Sequence, residues 1–147
     1  MGRIVVGVDG SSGSRAALRW AVEEAQRRGS RVEAIHLWHY PPLTYVPGVS
    51  PTPVFAQADL EAEARAVLDD AVEDVLAGDF PHVTVDRIVG LGGAVEGLVS
   101  RSHGAEMLVV GHRGHGGFRG LLLGSVAHQC ASHAACPVVI VRPPTAR

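Results

Sequence analysis

The sequence predicts an α/β protein: one doubly wound, flavodoxin- or Rossmann-like sheet of five parallel strands with helices on both faces. Three observations lead there. Short β-branched runs alternate with longer segments of helical periodicity. The last two runs, residues 106–111 and 137–141, are continuously apolar, as expected of strands covered on both sides. No second core, internal repeat or linker interrupts the alternation, so residues 1–147 read as a single domain.

The elements follow in order. Residues 3–9, RIVVGVD, form a short strand ending in an acid, and GSSGS at 10–14 is a polar turn. A helix over 15–25 buries a face at Ala17, Trp20 or Ala21, and Ala25; Ser11, Ser12 or Ser14 caps it and Gly29 stops it. The second strand is 31–38. Residues 39–53 carry five prolines and a glycine, which excludes a helix interior or a central strand and predicts a loop. From Leu60 to Leu76 apolar residues recur at helical spacing, with the acids Asp69, Asp70, Glu73 and Asp74 between them as a solvated face. A strand over 83–89 and a helix over 95–103, with Leu98 and Val99 inward, precede the strand 106–111. Gly124 and Ser125 open the last helix, and 137–141 is the last strand. Right-handed crossovers then place any ligand at the carboxyl ends of the strands, where strand order reverses.

Composition excludes several functions. The 147 residues hold 46% hydrophobic and 19% charged residues, enough to fold alone. A formal net charge of -2 gives no general attraction to nucleic acid or to a membrane surface. The acid at position 9 arrives too early for a signal peptide and no apolar run reaches spanning length, so a cytoplasmic protein is expected. Cys130 and Cys136 make no CxxC pair and read as buried or half-buried thiols. All 13 basic residues are arginine, which removes lysine-dependent phosphate contacts and Schiff-base chemistry.

Chemistry concentrates in VVGHRGHGGFRGLLLGSVAHQ, residues 109–129. Gly111 ends a strand; Gly114, Gly116, Gly117 and Gly120 follow; Gly124 and Ser125 open a helix. Glycines let backbone N–H groups approach an anion, and a helix N-terminus adds its positive dipole end. Ser125 is placed to cap that helix or to donate to phosphate. Arg113, Arg119, His112 and His115 are the local cations for a triphosphate, arginine with bidentate geometry. Asp9, at a strand's carboxyl end, suits either a ribose hydroxyl or a phosphate-bound Mg²⁺, or else a turn-capping role. Trp38 and Tyr40 read as ordinary packing. His128 and His133 share no helix face, so no zinc site is expected, and no serine has a His and acid beside it to make a nucleophile.

The spacing G-x2-G-x9-G-S from Gly111 to Ser125, with Val8-Asp9-Gly10-Ser11 at the first strand's end, resembles the ATP-binding branch of the universal stress protein family. The alanine-rich first helix, His36-Leu37 late in strand two, the proline-rich loop and the closing CPVVIVR agree with it. The resemblance implies ribose and phosphates against Gly111, Gly114, Gly124 and Ser125. It implies a nucleoside flanked by Asp9 and Leu37, with Gly10, Ser11, Arg113, His115, Gly116, Gly117 and Val126 completing the site. It further implies ATP as ligand and a homodimer through the last strand; Mg²⁺ enters only through the reading of Asp9 above. Leu91-Gly92-Gly93-Ala94 departs from the Gly-x-Pro-Ala common in the family. The expected function is a nucleotide-dependent binding module in a stress response rather than an enzyme. A slow ATPase or phosphoryl-transfer enzyme and a flavodoxin-like redox protein fit the same architecture.

Overall fold

A computed structural model describes residues 1–41, 46–49, 56–115 and 123–144. Nine elements alternate among the described residues: β1 (Arg3–Gly7), α1 (Ser12–Arg28), β2 (Arg31–Trp38), α2 (Gln57–Leu76), β3 (Val85–Leu91), α3 (Ala94–Ser102), β4 (Met107–Gly111), α4 (Ser125–His133) and β5 (Val138–Val141). The strands pair in parallel in the order β3-β2-β1-β4-β5. The doubly wound α/β sheet that the sequence predicts is the observed architecture.

Strand alternation sends side chains to two cores. Ile4, Val6 and Val8, with Val32, Ala34, Met107 and Val109, pack against Ala17, Leu18, Ala21 and Val22 of α1 and Leu68, Ala71, Val72 and Val75 of α2. Val5, Ile35, Leu108 and Val110 face the other way, onto Leu98 of α3 and Ala127 and Cys130 of α4. Both faces are therefore covered, which is why β1 and β4 are apolar without a break.

Several boundaries move from their expected places, each for a local reason. Helix α1 begins at Ser12 because Ser11, in extended geometry, accepts the Ser14 N–H through its Oγ. It ends on Gly29 at φ 68°, whose N–H bonds to the Ala25 carbonyl. Helix α2 starts at Gln57, three residues before its first inward leucine. Strand β3 begins two residues late, since Val83 donates to Phe80 in a turn, and runs on to Leu91 opposite Trp38. Residues 39–41 and 46–49, the described parts of the proline-rich segment, lie in no helix or strand.

The acids of α2 are not merely solvated. Arg15 of α1 reaches Asp70 at 2.7 Å and Asp74 at 3.3 Å, and Arg87 of β3 reaches Asp69 at 2.9 Å and Glu73 at 3.5 Å. The carboxylates thus pin α2 from two sides. Among the described residues no helix is long and apolar enough to cross a membrane.

Candidate functional site

Chain order sends β2 and β3 to one side of β1 and β4 and β5 to the other. The crevice between β1 and β4, at their carboxyl ends, is the point where such folds open a ligand site. A cleft of about 520 Å³, its solvent-filled mouth included, lies there. Its walls come from Asp9 after β1, His36 and Leu37 of β2, Ala94 and Leu98 of α3, Gly111 at the end of β4 with Arg113 and Gly114 after it, and Val126 of α4.

Asp9 is fixed by its own turn. Its Oδ1 accepts the Ser11 N–H at 2.9 Å and the Ser11 hydroxyl at 2.5 Å, and its N–H donates to Ser14 Oγ at 3.2 Å. Burial pushes the carboxyl up, but the hydrogen bonds from Ser11 and Ser14 and the nearby His115 outweigh it and hold the group below its ordinary value. Asp9 is an anion at neutral pH. Its second oxygen faces Gly114, where an added Cβ would stand 2.7 Å from Oδ2. Gly10, at φ +85°, makes the turn possible and lets Val67 of α2 approach.

The glycines after β4 divide into two kinds. At Gly111 the space of the missing side chain is filled by backbone: an added Cβ would meet the Gly13 carbonyl at 2.9 Å. Gly111 therefore serves strand-to-helix packing as well as lining the cleft. Gly124 is buried against the His112 and Arg113 backbone and donates its N–H to the His112 carbonyl at 2.6 Å. Here too glycine allows a close approach of backbone, since an added Cβ would stand 3.3 Å from Arg113 Cα and from the His112 carbonyl oxygen. Gly124 is the N-cap of α4 and provides no side-chain hydrogen bond, so the first N–H groups of that helix are left to other acceptors. Ser125 does not cap α4; it is exposed, one residue inside, and its Oγ accepts from Gln129 at 2.9 Å.

Of the residues singled out by sequence, Asp9, Leu37, Gly111, Arg113, Gly114 and Val126 line the cleft. Gly10 and Ser11 stand behind Asp9, and the His115 imidazole meets the Asp9 carbonyl at 2.9 Å. Gly116, Gly117, Arg119 and Gly120 lie outside the described residues. Trp38 is buried and meets Tyr40 edge-on at 5.4 Å; neither lines the cleft. His36, Ser14, Ala94 and Leu98 also line it, although the sequence assigns none of them to the site. His36 was within reach, since a polar residue late in a central strand needs a partner, here the Val8 carbonyl at 2.7 Å from Nδ1. Among the described residues no three His, Cys, Asp or Glu side chains are placed to hold a metal ion.

Comparison with known proteins agrees with this geometry. The universal stress protein family model matches residues 1–142. The universal stress protein Rv2623 of Mycobacterium tuberculosis is 35% identical over 142 residues, which are 95% of this chain and 44% of that protein. The chain thus spans less than half the length of the curated relatives it matches. Among solved structures, the universal stress protein UspA from Lactobacillus plantarum superposes with a TM-score of 0.78 at 21% identity, covering 96% and 97% of the two chains, which speaks to the fold alone. A universal stress protein in complex with cAMP gives 0.67 at 25% identity, covering 95% and 96%. The universal stress protein from Archaeoglobus fulgidus in complex with dAMP gives 0.65 at 26% identity, covering 95% and 97%. The chain, with its 3-2-1-4-5 sheet and switch-point cleft, belongs to the universal stress protein family.

Proposed function

We propose that this chain binds an adenine nucleotide, ATP included, in the switch-point cleft and acts in the cytoplasm as a nucleotide-dependent binding module of a stress response, not as an enzyme. The observation that carries the reading is the cleft's polarity. Its lining joins apolar side chains, Leu37, Leu98 and Val126, which suit a base, to Arg113, Gly114 and the adjoining start of α4 with no side-chain cap, which suit phosphate. Asp9, whose Oδ2 faces Gly114, fits ribose hydroxyls or, through a phosphate-bound Mg²⁺, the phosphates. The cAMP and dAMP complexes of the two relatives support an adenine base as ligand. Strand β5 forms an edge of the sheet, half-buried throughout, and its outer backbone groups offer a second copy a place to pair.

Turnover needs a group that positions the attacking water in line with the terminal phosphate. Among the described residues the titratable side chains lining the cleft are Asp9, His36 and Arg113; Asp9 is held by Ser11 and His36 by Val8. Mass spectrometry of nucleotide released on denaturing the purified protein, then calorimetric titration with ATP, AMP, cyclic AMP and GTP, tests the reading. Adenine nucleotides bind and GTP binds more weakly. No released nucleotide and no heat up to about millimolar ligand would overturn it, and hydrolysis near about 10 per second would overturn the non-enzymatic part.

A further inference from the structure

The apolar floor of the cleft is made of leucines let into recesses where glycines lack a side chain. Leu98 of α3 covers Gly7, where an added Cβ would stand 2.9 Å from Leu98 Cδ1. Leu37 is gripped from two sides. Directly opposite it in the β2–β3 register is Gly90, where an added Cβ would stand 2.9 Å from Leu37 Cδ2. Gly97 of α3 lies across it, and a Cβ there would overlap Leu37 Cδ1 and stand 3.2 Å from both Cδ2 and Cγ. Glycine inside a nine-residue helix is disfavoured against alanine, so Gly97 calls for a packing reason. Leu37 supplies it.

We propose that Gly97, backed by Gly90, sets the depth of the cleft's base-binding end by giving Leu37 a seat outside it. The inference rests on the nucleotide reading above and names a residue that tunes which ligands fit. With the seat filled, the Leu37 side chain is closed off by the Gly90 strand on one side and by α3 on the other. The remaining direction is the cleft that Leu37 already lines. A methyl group at position 97 thus acts at a distance, by turning Leu37 into the space of the base. Phosphate groups, which the nucleotide reading sets against Arg113 and Gly114, are not affected.

The test compares wild type, Gly97→Ala, Leu37→Ala and the double variant. Calorimetry with ATP and with inorganic tripolyphosphate separates base from phosphate binding. Gly97→Ala weakens ATP by about tenfold or more, the scale of inserting a methylene into a packed site. Tripolyphosphate binding stays unchanged, and Leu37→Ala in the double variant restores ATP to the level of Leu37→Ala alone. A second readout needs no nucleotide: in methyl NMR the Leu37 methyls contact the Gly90 and Gly97 α-protons in wild type, and contact Val126 in Gly97→Ala. Unchanged Leu37 contacts, with α3 moving outward instead, would overturn the proposal, as would unchanged ATP affinity in a folded Gly97→Ala. Loss of tripolyphosphate binding in that variant would also count against it, since the damage would then not be confined to the base. A wild-type protein that binds no ATP sinks the nucleotide reading itself, while the methyl contacts still decide where Leu37 goes.

Discussion

At the amino ends of β1 and β2 the buried Glu33 carboxylate lies under Arg3 at 2.9 Å, Arg101 at 3.4 Å and Arg31 at 3.7 Å. Beside it Ser30 donates to Glu106, and Arg3 also donates to the His103 carbonyl at 2.7 Å. At the carboxyl ends of the same strands Asp9 is held by serines of its own turn, and the helix that faces it, α4, opens on a glycine with no side-chain cap. One end answers its buried charge with cations from three elements. The other keeps its charge in a local turn, beside a helix that starts without a side-chain cap. The difference separates what a buried charge does for stability from what it does for binding, and each end can be altered alone.

The largest effect is expected at the closed end. Glu33→Gln leaves three guanidinium groups without their shared counter-charge. Removing one partner of a buried pair costs about 3–5 kcal/mol; because Arg31 and Arg101 reach solvent, about 2–3 kcal/mol is expected here. Urea unfolding measures it. Four residues of strand, about 13 Å, separate Glu33 from Leu37, so ATP affinity should change by less than about twofold. A coupled loss of affinity would show that the two ends are not independent.

Asp9→Asn is the matching change at the open end. It should cost about 1 kcal/mol at neutral pH, because the amide accepts the Ser11 bonds less strongly than the carboxylate. The sign of the pH dependence follows from the carboxyl's lowered native value. The unfolded chain takes up the proton more readily, so the carboxylate's stabilisation is complete above the ordinary value of 3.8 and disappears as pH falls through the lowered native one. The stability gap between wild type and Asp9→Asn should therefore be flat from pH 7 to about 5 and close below that. A gap constant down to pH 3 would mean that the charge of Asp9 contributes nothing.

The same contrast explains what could be read from sequence. Strands β1 and β4 were legible because burial on both faces writes an unbroken apolar run, and the half-buried edge strand β5 carries the same kind of run. The start of α2 was not, because Gln57, Ala58 and Asp59 are exposed and carry no periodicity. Of the cleft, Asp9, Gly111, Arg113 and Gly114 were legible from their place at strand ends, and Leu37 and Val126 through the family resemblance. Ser14, Ala94 and Leu98 reach the cleft only because parallel crossovers bring three helix N-termini to one end of the sheet. The arginine clamps on α2 were hidden for a related reason: Arg15 and Asp70 are 55 residues apart and nothing local links them.

The smallest and finest test uses the two cysteines, one in the core under the helix that begins at the cleft and one at the closed end. Cys130 lies on α4, the helix whose N-terminus borders the cleft, and is fully buried; burial pushes its thiol up to about 11. Cys136 precedes β5 at the closed end and is half-buried. Burial raises its thiol too, with Arg3 and the Leu108 N–H pulling the other way. The thiolate is the reactive form, so both the pKa and the access of Cys130 oppose its alkylation. With iodoacetamide at about pH 8, Cys136 should react faster than Cys130 by about a hundredfold or more, read by mass spectrometry of the intact and digested chain. Urea beyond the unfolding midpoint should erase the difference. If Cys130 instead keeps pace with Cys136 under native conditions, α4 must open locally without global unfolding. The cleft end would then be the less stable end of the molecule, and saturating nucleotide should slow Cys130 while leaving Cys136 unchanged.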